Sequence, residues 1–320
     1  MAENTGGHQL RAAVVGMGPV GTILAAHLID AGAHVVLCDI DHERIDRMKD
    51  DGIRLEQTIE KTVDVADGCY SISDLKQFDL DLIAVAVKTP TLAIIIPKIA
   101  EITSDKMFVM CVQNGLDNEL EIARTLGESK TLRFSINYAG GMSAPSAVKV
   151  TFFNPPNYIA ALTREGDAIA AEIARLLTSA GLETKVPENI RDHIWIKAIL
   201  NSALSPVCAI TGLTMKEVTD HELGLKLVTA LIDESVRVAE AEGLKFDEGF
   251  KEFCLKYLKG GGYHRPSMWV DLDAGLPTEI DFLNGRIAYY GRKHGLPTPY
   301  NDTITALVHM LELSSKNQEK

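Results

Sequence analysis

The sequence predicts an α/β Rossmann-type doubly wound sheet followed by an all-helical C-terminal domain. Three observations carry that reading. A turn of the form G-x-G-x-x-G lies between a short apolar run and a helical stretch near the N-terminus. Near-continuous apolar runs of strand length then alternate with helical patterns. Beyond Pro187 no strand of comparable quality follows, only long helical patterns. The division is therefore residues 1–187 as a dinucleotide-binding domain and residues 188–320 as a helical domain.

Bulk properties limit the classes of partner. The chain has 320 residues, enough for two domains with a sizeable core, and is 46% hydrophobic and 24% charged. Its formal net charge is -12 with no basic run, which argues against nucleic acid and anionic membrane surfaces as partners. The first ten residues show no basic region leading into an apolar core, so no signal peptide is expected. The longest apolar runs, such as Leu82 to Val87, are too short to span a bilayer. Five cysteines (Cys38, Cys69, Cys111, Cys208, Cys254) are dispersed without metal-like spacing, several within apolar runs. That pattern points to a reducing, cytoplasmic setting with neither a disulfide framework nor a zinc site.

Taken in order, residues 1–9 are polar and glycine-rich, a loose start. Leu10 to Val15 is the first strand, and Gly16-Met17-Gly18-Pro19-Val20-Gly21 is the turn. A helix follows as far as Gly32, and His34 to Cys38 is the second strand. In this setting the first glycine makes the tight turn and the second lets backbone approach a pyrophosphate. The third lets helix pack on strand, and the phosphate rests on unpaired amides at the helix N-terminus. Asp39 closes the second strand 18 residues after Gly21. A carboxylate there accepts hydrogen bonds from ribose hydroxyls and repels a 2′-phosphate, which favours NAD(H) over NADP(H). His42, Arg44 and Arg47 come next and could partly offset that carboxylate, although a solvated helix face is the favoured reading.

Short strands are expected at 53–56 and 62–66. Leu80 to Val87 and Met107 to Val112 read as central parallel strands, with helices over 91–99 and 117–126. Ligands bind at the carboxyl ends of such strands, which is where Lys88 and the Asn114 of Gln113-Asn114-Gly115 stand, so both should face the cofactor. Strands at 131–138, 148–153 and 158–162 extend the sheet in antiparallel fashion, separated by turns at Ala139-Gly140-Gly141 and Asn154-Pro155-Pro156. A helix over 167–180 and a strand at 182–186 complete the domain.

Helical patterns then run over 189–204, 223–243, 246–258, 277–294 and 302–313, with a polar tail from Ser314. In the first of these Lys197 and Asn201 are four residues apart, on one face, with Ser205 a step further. A lysine among Ile194, Ile196, Ala198, Ile199 and Leu200 either snorkels its ammonium to water or is held in a site, and snorkelling is the commoner case. A second polar cluster, His264-Arg265-Pro266-Ser267-Met268-Trp269, follows the glycines 260–262. Pro277 suits the first position of a helix, which puts Glu279 in its first turn. There it would complement the helix dipole or serve as the counter-charge that a buried lysine needs.

These pieces together resemble ketopantoate reductase, nearly end to end. They are the glycine turn, Lys88, Gln113-Asn114-Gly115, Trp195-x-Lys197-x-x-x-Asn201 and Ser267-Met268. Pro277-Thr278-Glu279-Ile280-Asp281, Asn284-Gly285 and Gly295-Leu296-Pro297-Thr298-Pro299-Tyr300-Asn301 complete the set. The resemblance implies reduction of 2-dehydropantoate, a small 2-oxo acid, to (R)-pantoate with a nicotinamide cofactor, on the way to coenzyme A. It implies Lys197 as general acid with Glu279 beside it and the nicotinamide ribose. Asn114 would contact nicotinamide and substrate, and Asn201, Ser205 and Ser267 would hold the substrate. Gly140 would be a backbone contact to the cofactor, and the chain would form a homodimer through its helical domain.

Three departures qualify it. Many relatives have Asn where Ser205 stands, and Gln where Val270 stands. NADP-using relatives usually carry Arg or Lys where this chain has Asp39-Ile40, so NADP(H) is the family-typical alternative to NAD(H). Asp39 and Ser205 thus keep open an NAD-dependent D-2-hydroxyacid dehydrogenase acting on another branched 2-oxo acid. A 3-hydroxyacid dehydrogenase also uses a Lys-x-x-x-Asn helix, but the Ser267 and Glu279 segments argue against it. A non-catalytic NAD(H)-binding protein would keep the glycine turn with no need of Lys197, Asn201 and Glu279 together.

Overall fold

The structure, a computed structural model, describes residues 9–318, with side chains through residue 314. The start expected over residues 1–8 and the side chains of the tail beyond 314 lie outside the described residues. Two compact units are present. One runs to Gln113 and again over Asn118–Ile190; the other comprises Asn114–Asp117 and the chain from Arg191.

The first unit contains β1 (Arg11–Val15), α1 (Pro19–Asp30), β2 (His34–Cys38), α2 (His42–Asp51), β3 (Ile53–Gln57), β4 (Lys61–Val63) and β5 (Asp67–Cys69). Next come β6 (Leu82–Val85), α3 (Leu92–Ala100), β7 (Phe108–Cys111), α4 (Asn118–Leu126) and β8 (Thr131–Ser135). It ends with β9 (Tyr138–Ala144), β10 (Ala147–Phe153), β11 (Asn157–Ala161), α5 (Asp167–Ser179) and β12 (Thr184–Lys185). The main sheet has eight strands in the order β12-β11-β8-β7-β6-β1-β2-β5. All its pairs are parallel except β11 with β8.

The apolar runs have a direct cause. Ala12, Val14, Leu82, Ala84 and Met110 point into one core, and Ala13, Val15, Ile83, Val85 and Val109 into another. Successive residues serve opposite faces, so a strand covered on both sides has no polar position. This is the doubly wound sheet expected.

Its edge differs from expectation. β8 is parallel to β7, because α4 provides the crossover that parallel pairing requires. β9 and β10 leave the main sheet and join β3 and β4 in a second one, ordered β4-β3-β10-β9. Gly140 and Gly141, expected in a turn, lie inside β9. A side chain on Gly140 would come within 2.6 Å of the Lys149 carbonyl oxygen, so its glycine is explained by close packing on β10. All five cysteines are free and buried.

The second unit is helical: α6 (Ile190–Thr211), α7 (Met215–Asp220), α8 (Glu222–Ala241), α9 (Phe250–Lys259), α10 (Ser267–Asp273), α11 (Asn284–Lys293) and α12 (Pro299–Gln318). The short α7 and α10 were not expected, since one or two turns give too little periodicity to read. The helix expected over 277–294 is broken. Only a 3-10 turn, Ile280–Phe282, precedes α11, and Leu283 between them sits at φ −113°, ψ −100°. Glu279 therefore lies ahead of a turn, outside any α-helix.

α6 continues past its expected end at residue 204, straight through Pro206. A proline inside a helix removes one amide and leaves the carbonyl four residues earlier without its partner. That carbonyl belongs to Ser202, and Asn284 Nδ2 donates to it at 3.0 Å. The same amide donates to Asn301 Oδ1 at 3.0 Å, and Asn301 Nδ2 donates to Glu234 Oε2 at 2.8 Å. Glu234 also accepts the amides of Tyr300 and Asn301, capping the first turn of α12. One buried polar chain thus joins α6, α11, α12 and α8.

By length and composition α6 could cross a membrane, which the run-by-run reading missed because Lys197 and Asn201 interrupt its apolar residues; 61% of its most apolar window is buried inside the structure. Replacing the amide in Asn284→Ala leaves the Ser202 carbonyl buried without a donor. The expected cost is about 1–3 kcal/mol in urea unfolding; an unchanged midpoint and slope would show that the proline break is held by other means.

Candidate functional site

Candidate site residues occur in each unit. In the first, β1 delivers the glycine turn to the start of α1. Gly16 sits at φ +96°, and its amide donates to the Cys38 carbonyl at 2.8 Å, binding the turn to the end of β2. A side chain there would meet Val87 N at 2.8 Å, and one on Gly21 would meet the Gly16 carbonyl oxygen at 2.0 Å. Both positions are closed by the protein itself. Gly18 is different: a Cβ there would have nothing within 4 Å. It stands at the head of α1 with Pro19 behind it and no side chain capping the helix. The open space over these first amides fits a pyrophosphate.

Asp39 lies against the same turn. Its Oδ2 accepts the Met17 amide at 2.6 Å, and its Oδ1 accepts the Asp41 amide at 3.0 Å. Arg44, expected on a solvated face, is drawn in: its guanidinium lies 3.7 Å from Asp39 Oδ2 and 3.1 Å from Asp41 Oδ2. Arg47 pairs with Asp51 at the surface, and His42 stacks on Tyr70. Met17, Pro19 and Val20 complete the turn, and the Tyr138 hydroxyl donates to the Val20 carbonyl at 3.3 Å. The turn and Asp39 therefore fit a dinucleotide. Lys88 is exposed three residues beyond β6, at the cap of the 3-10 turn Thr89–Thr91. Gly140 sits in β9 of the smaller sheet.

In the second unit α6 presents a polar stripe. Lys197, Asn201 and Ser205 are half-buried, while Ile194, Trp195, Ala198, Ile199 and Leu200 are buried around them. Spacing by four places the three side chains one above another, so a cation, an amide and a hydroxyl line one strip of an otherwise apolar helix. Ser267 is exposed at the first position of α10.

Asn114 and Glu279 are brought into one frame by backbone. The Leu116 amide donates to the Phe282 carbonyl at 2.8 Å. Gly115, at φ +100°, lets the strands of chain approach: a side chain there would lie 2.7 Å from the Phe282 carbonyl oxygen. Phe282 ends the turn that Glu279 begins. Glu279 is 7% exposed and Asn114 half-buried. On the other side, the Thr278 amide donates to Glu312 Oε1 at 2.7 Å. His309 links Glu312 to Asp281 through its two ring nitrogens, at 3.1 and 2.9 Å.

Several supporting roles escaped the sequence reading. Gln113 Nε2 donates to the carbonyls of Val85 and Val87, fixing the end of β7 to the end of β6. Asp117, Arg286 and Tyr290 converge beside the Asn114 loop. A glutamine at a strand end was a visible signal; three residues far apart in sequence were not.

A glycine turn closed by an acidic strand end, in a doubly wound sheet that precedes a helical unit, defines a dinucleotide-dependent class of protein. The chain matches the family description "Ketopantoate reductase PanE/ApbA" over residues 12–163 and its C-terminal counterpart over residues 189–312, and so belongs to the ketopantoate reductase family. It is 29% identical over 301 residues to 2-dehydropantoate 2-reductase of Streptococcus pyogenes, covering 93% of this chain and 97% of that one. Among solved structures, D-mandelate dehydrogenase with NADH and anilino(oxo)acetate is 26% identical with a TM-score of 0.85, covering 96% of this chain and 99% of that one. A PanE/ApbA family ketopantoate reductase from Ralstonia eutropha has the same identity and TM-score and is covered completely, with 96% of this chain matched.

The His309 cluster makes the turn carrying Glu279 sensitive to pH. Burial opposes the charge on His309, but its bonds to Asp281 and Glu312 outweigh this and raise its pKa above 6.5. Burial likewise opposes the Glu312 carboxylate, and the Thr278 amide with His309 overcomes it, lowering the pKa below 4.5. A raised histidine stabilises fully below its unfolded value and loses that contribution as pH rises through the folded one; a depressed carboxylate loses its contribution as pH falls. The stability difference between wild type and His309→Ala should therefore be greatest between about pH 4.5 and 6.5 and shrink at pH 8. A difference that is flat across pH 4–8 would mean that the cluster carries no such charge pairing.

Proposed function

We propose that the protein reduces 2-dehydropantoate to (R)-pantoate with a nicotinamide cofactor, in the supply of pantothenate and coenzyme A. The observation that carries this reading is the polar stripe of α6, in a chain whose family and full-length relatives share the activity's name. Residues 1–187 would hold the nucleotide and residues 188–320 the substrate. Gly16, Met17, Gly18, Pro19, Val20 and Gly21 would carry the pyrophosphate and Asp39 the adenosine ribose, with Lys88 and Gly140 as further contacts. The bound nicotinamide supplies a hydride to the keto carbon.

The protein's own part is electrostatic and positional. Charge grows on the keto oxygen as the carbonyl is reduced, and the Lys197 ammonium stabilises it and gives up a proton to it. Glu279, nearly buried, would serve as the counter-charge that a lysine in an apolar setting needs. Asn114, Asn201, Ser205 and Ser267 bind the carboxylate and terminal hydroxyl of the substrate with groups that do not compete for the proton. A reducing cytoplasm suits the five free, buried thiols, and a homodimer is part of the same reading.

Asp39 supports NAD(H), with its carboxylate fixed by Met17 and Asp41. Arg44 beside it tempers the exclusion of a 2′-phosphate, so NADP(H) is the alternative. The same carboxylate, together with the likeness to an NADH-bound D-mandelate dehydrogenase, favours a second reading. In it the protein is a D-2-hydroxyacid dehydrogenase for another branched 2-oxo acid.

A steady-state assay with 2-dehydropantoate and a series of branched 2-oxo acids, each with NADH and NADPH, separates the two. Lys197→Ala should lower kcat by roughly 10²- to 10⁴-fold while nucleotide binding survives; undiminished turnover would remove the ammonium from the mechanism. Asp39→Ala should narrow the preference for NADH, and a wild-type preference for NADPH would overturn the reading of that carboxylate.

A further inference from the structure

The loop that carries Asn114 is held at three points on the helical unit. Leu116 donates its amide to Phe282, as described, and is itself buried. Asp117, a non-glycine residue at φ +66°, turns its carboxylate to Tyr290, whose hydroxyl reaches Oδ1 at 3.0 Å and Oδ2 at 2.9 Å. Arg286 Nε lies 3.4 Å from Asp117 Oδ2, and its guanidinium also packs 5.5 Å from the centre of the Phe282 ring. The Tyr290 ring in turn lies 5.4 Å from that of Trp195, two residues before Lys197 on α6. An aspartate just before a helix ordinarily caps it, and a left-handed backbone at such a residue is held only where its surroundings fix it. Here the one hydroxyl hydrogen of Tyr290, on α11, is shared between the two carboxylate oxygens.

We propose that Asp117, Tyr290 and Arg286 are positioning residues for Asn114. They fasten its loop to the helix bearing Lys197 and to the turn bearing Glu279, so that amide, ammonium and carboxylate keep one arrangement. The idea rests on the functional reading above, in which Asn114 meets both substrate and nicotinamide. Burial and the Asp117 carboxylate raise the Tyr290 phenol pKa, as expected for a hydroxyl committed as a donor.

The test compares Tyr290→Phe, Asp117→Asn and the double variant with wild type. Tyr290→Phe keeps the ring on Trp195 and loses only the hydroxyl; Asp117→Asn keeps the shape and loses the charge. The expected result is a fall in kcat of about tenfold in each, since small misplacements of a substrate-contacting group are costly. The thermal midpoint should stay near wild type while the KM for the 2-oxo acid rises, and the double variant should be no worse than the poorer single one. Equal turnover in Tyr290→Phe and wild type overturns the proposal, as does a fall in kcat matched by a fall in the thermal midpoint. Should Asp117→Asn fail to fold, Tyr290→Phe alone decides.

A readout without turnover separates this proposal from the function itself. In Tyr290→Phe the Gly115 and Leu116 amides should exchange with solvent at least about tenfold faster while α6 amides are unaffected. Unchanged protection at Leu116 sinks the clamp whatever the activity. A wild type that reduces no 2-oxo acid with either cofactor sinks the functional reading and leaves the exchange result to judge the clamp.

Discussion

A single backbone hydrogen bond, from Leu116 to Phe282, sets the terms for the candidate residues of the helical unit. It joins a loop at the end of a parallel strand to a turn more than 160 residues later. Only a glycine at 115 permits it, because any side chain would collide with the carbonyl that accepts the bond. Through this contact Asn114 ceases to be merely a strand-end residue. It shares its frame with Glu279, and through the neighbouring tyrosine with the helix of Lys197.

The same unit shows how a polar strip is maintained on an apolar helix. Lys197, Asn201 and Ser205 could each be satisfied by water if α6 were free to roll or unwind. Its apolar faces prevent rolling, since they are buried by neighbours on most sides. The break at Pro206 lies just past Ser205, and the carbonyl it frees is held by an amide anchored to Asn301 and, beyond it, to the Glu234 carboxylate. Buried networks of this kind are costly when incomplete and rigid when satisfied. Such rigidity would serve the substrate-binding role proposed for the row.

Much of this was legible in the sequence. The doubly wound sheet followed from strands with no polar position, and the glycine turn from its place between strand and helix. The stripe followed from spacing by four. What was hidden depended on partners distant in sequence. Gly140 read as a turn residue because glycine favours turns, whereas its real constraint is the backbone of Lys149 across a β-pair. Glu279 read as first-turn because Pro277 favours a helix start. It stands instead ahead of a 3-10 turn, which Leu283, at φ −113° and ψ −100°, separates from α11. Arg44 read as solvated because its helix has a polar face; only the fold shows two carboxylates within its reach.

The proline in α6 carries a further implication, for how the chain is made. Ser202 emerges from the ribosome 82 residues before Asn284, the residue whose amide occupies its carbonyl, and Asn301 is later still. Until those residues arrive, the distal half of α6 lacks its lock, whatever its intrinsic preference for helix. The first unit faces no such wait: nearly all of it is complete by Ile190. Synthesis can therefore complete one half while the other still waits for residues inside the last helix.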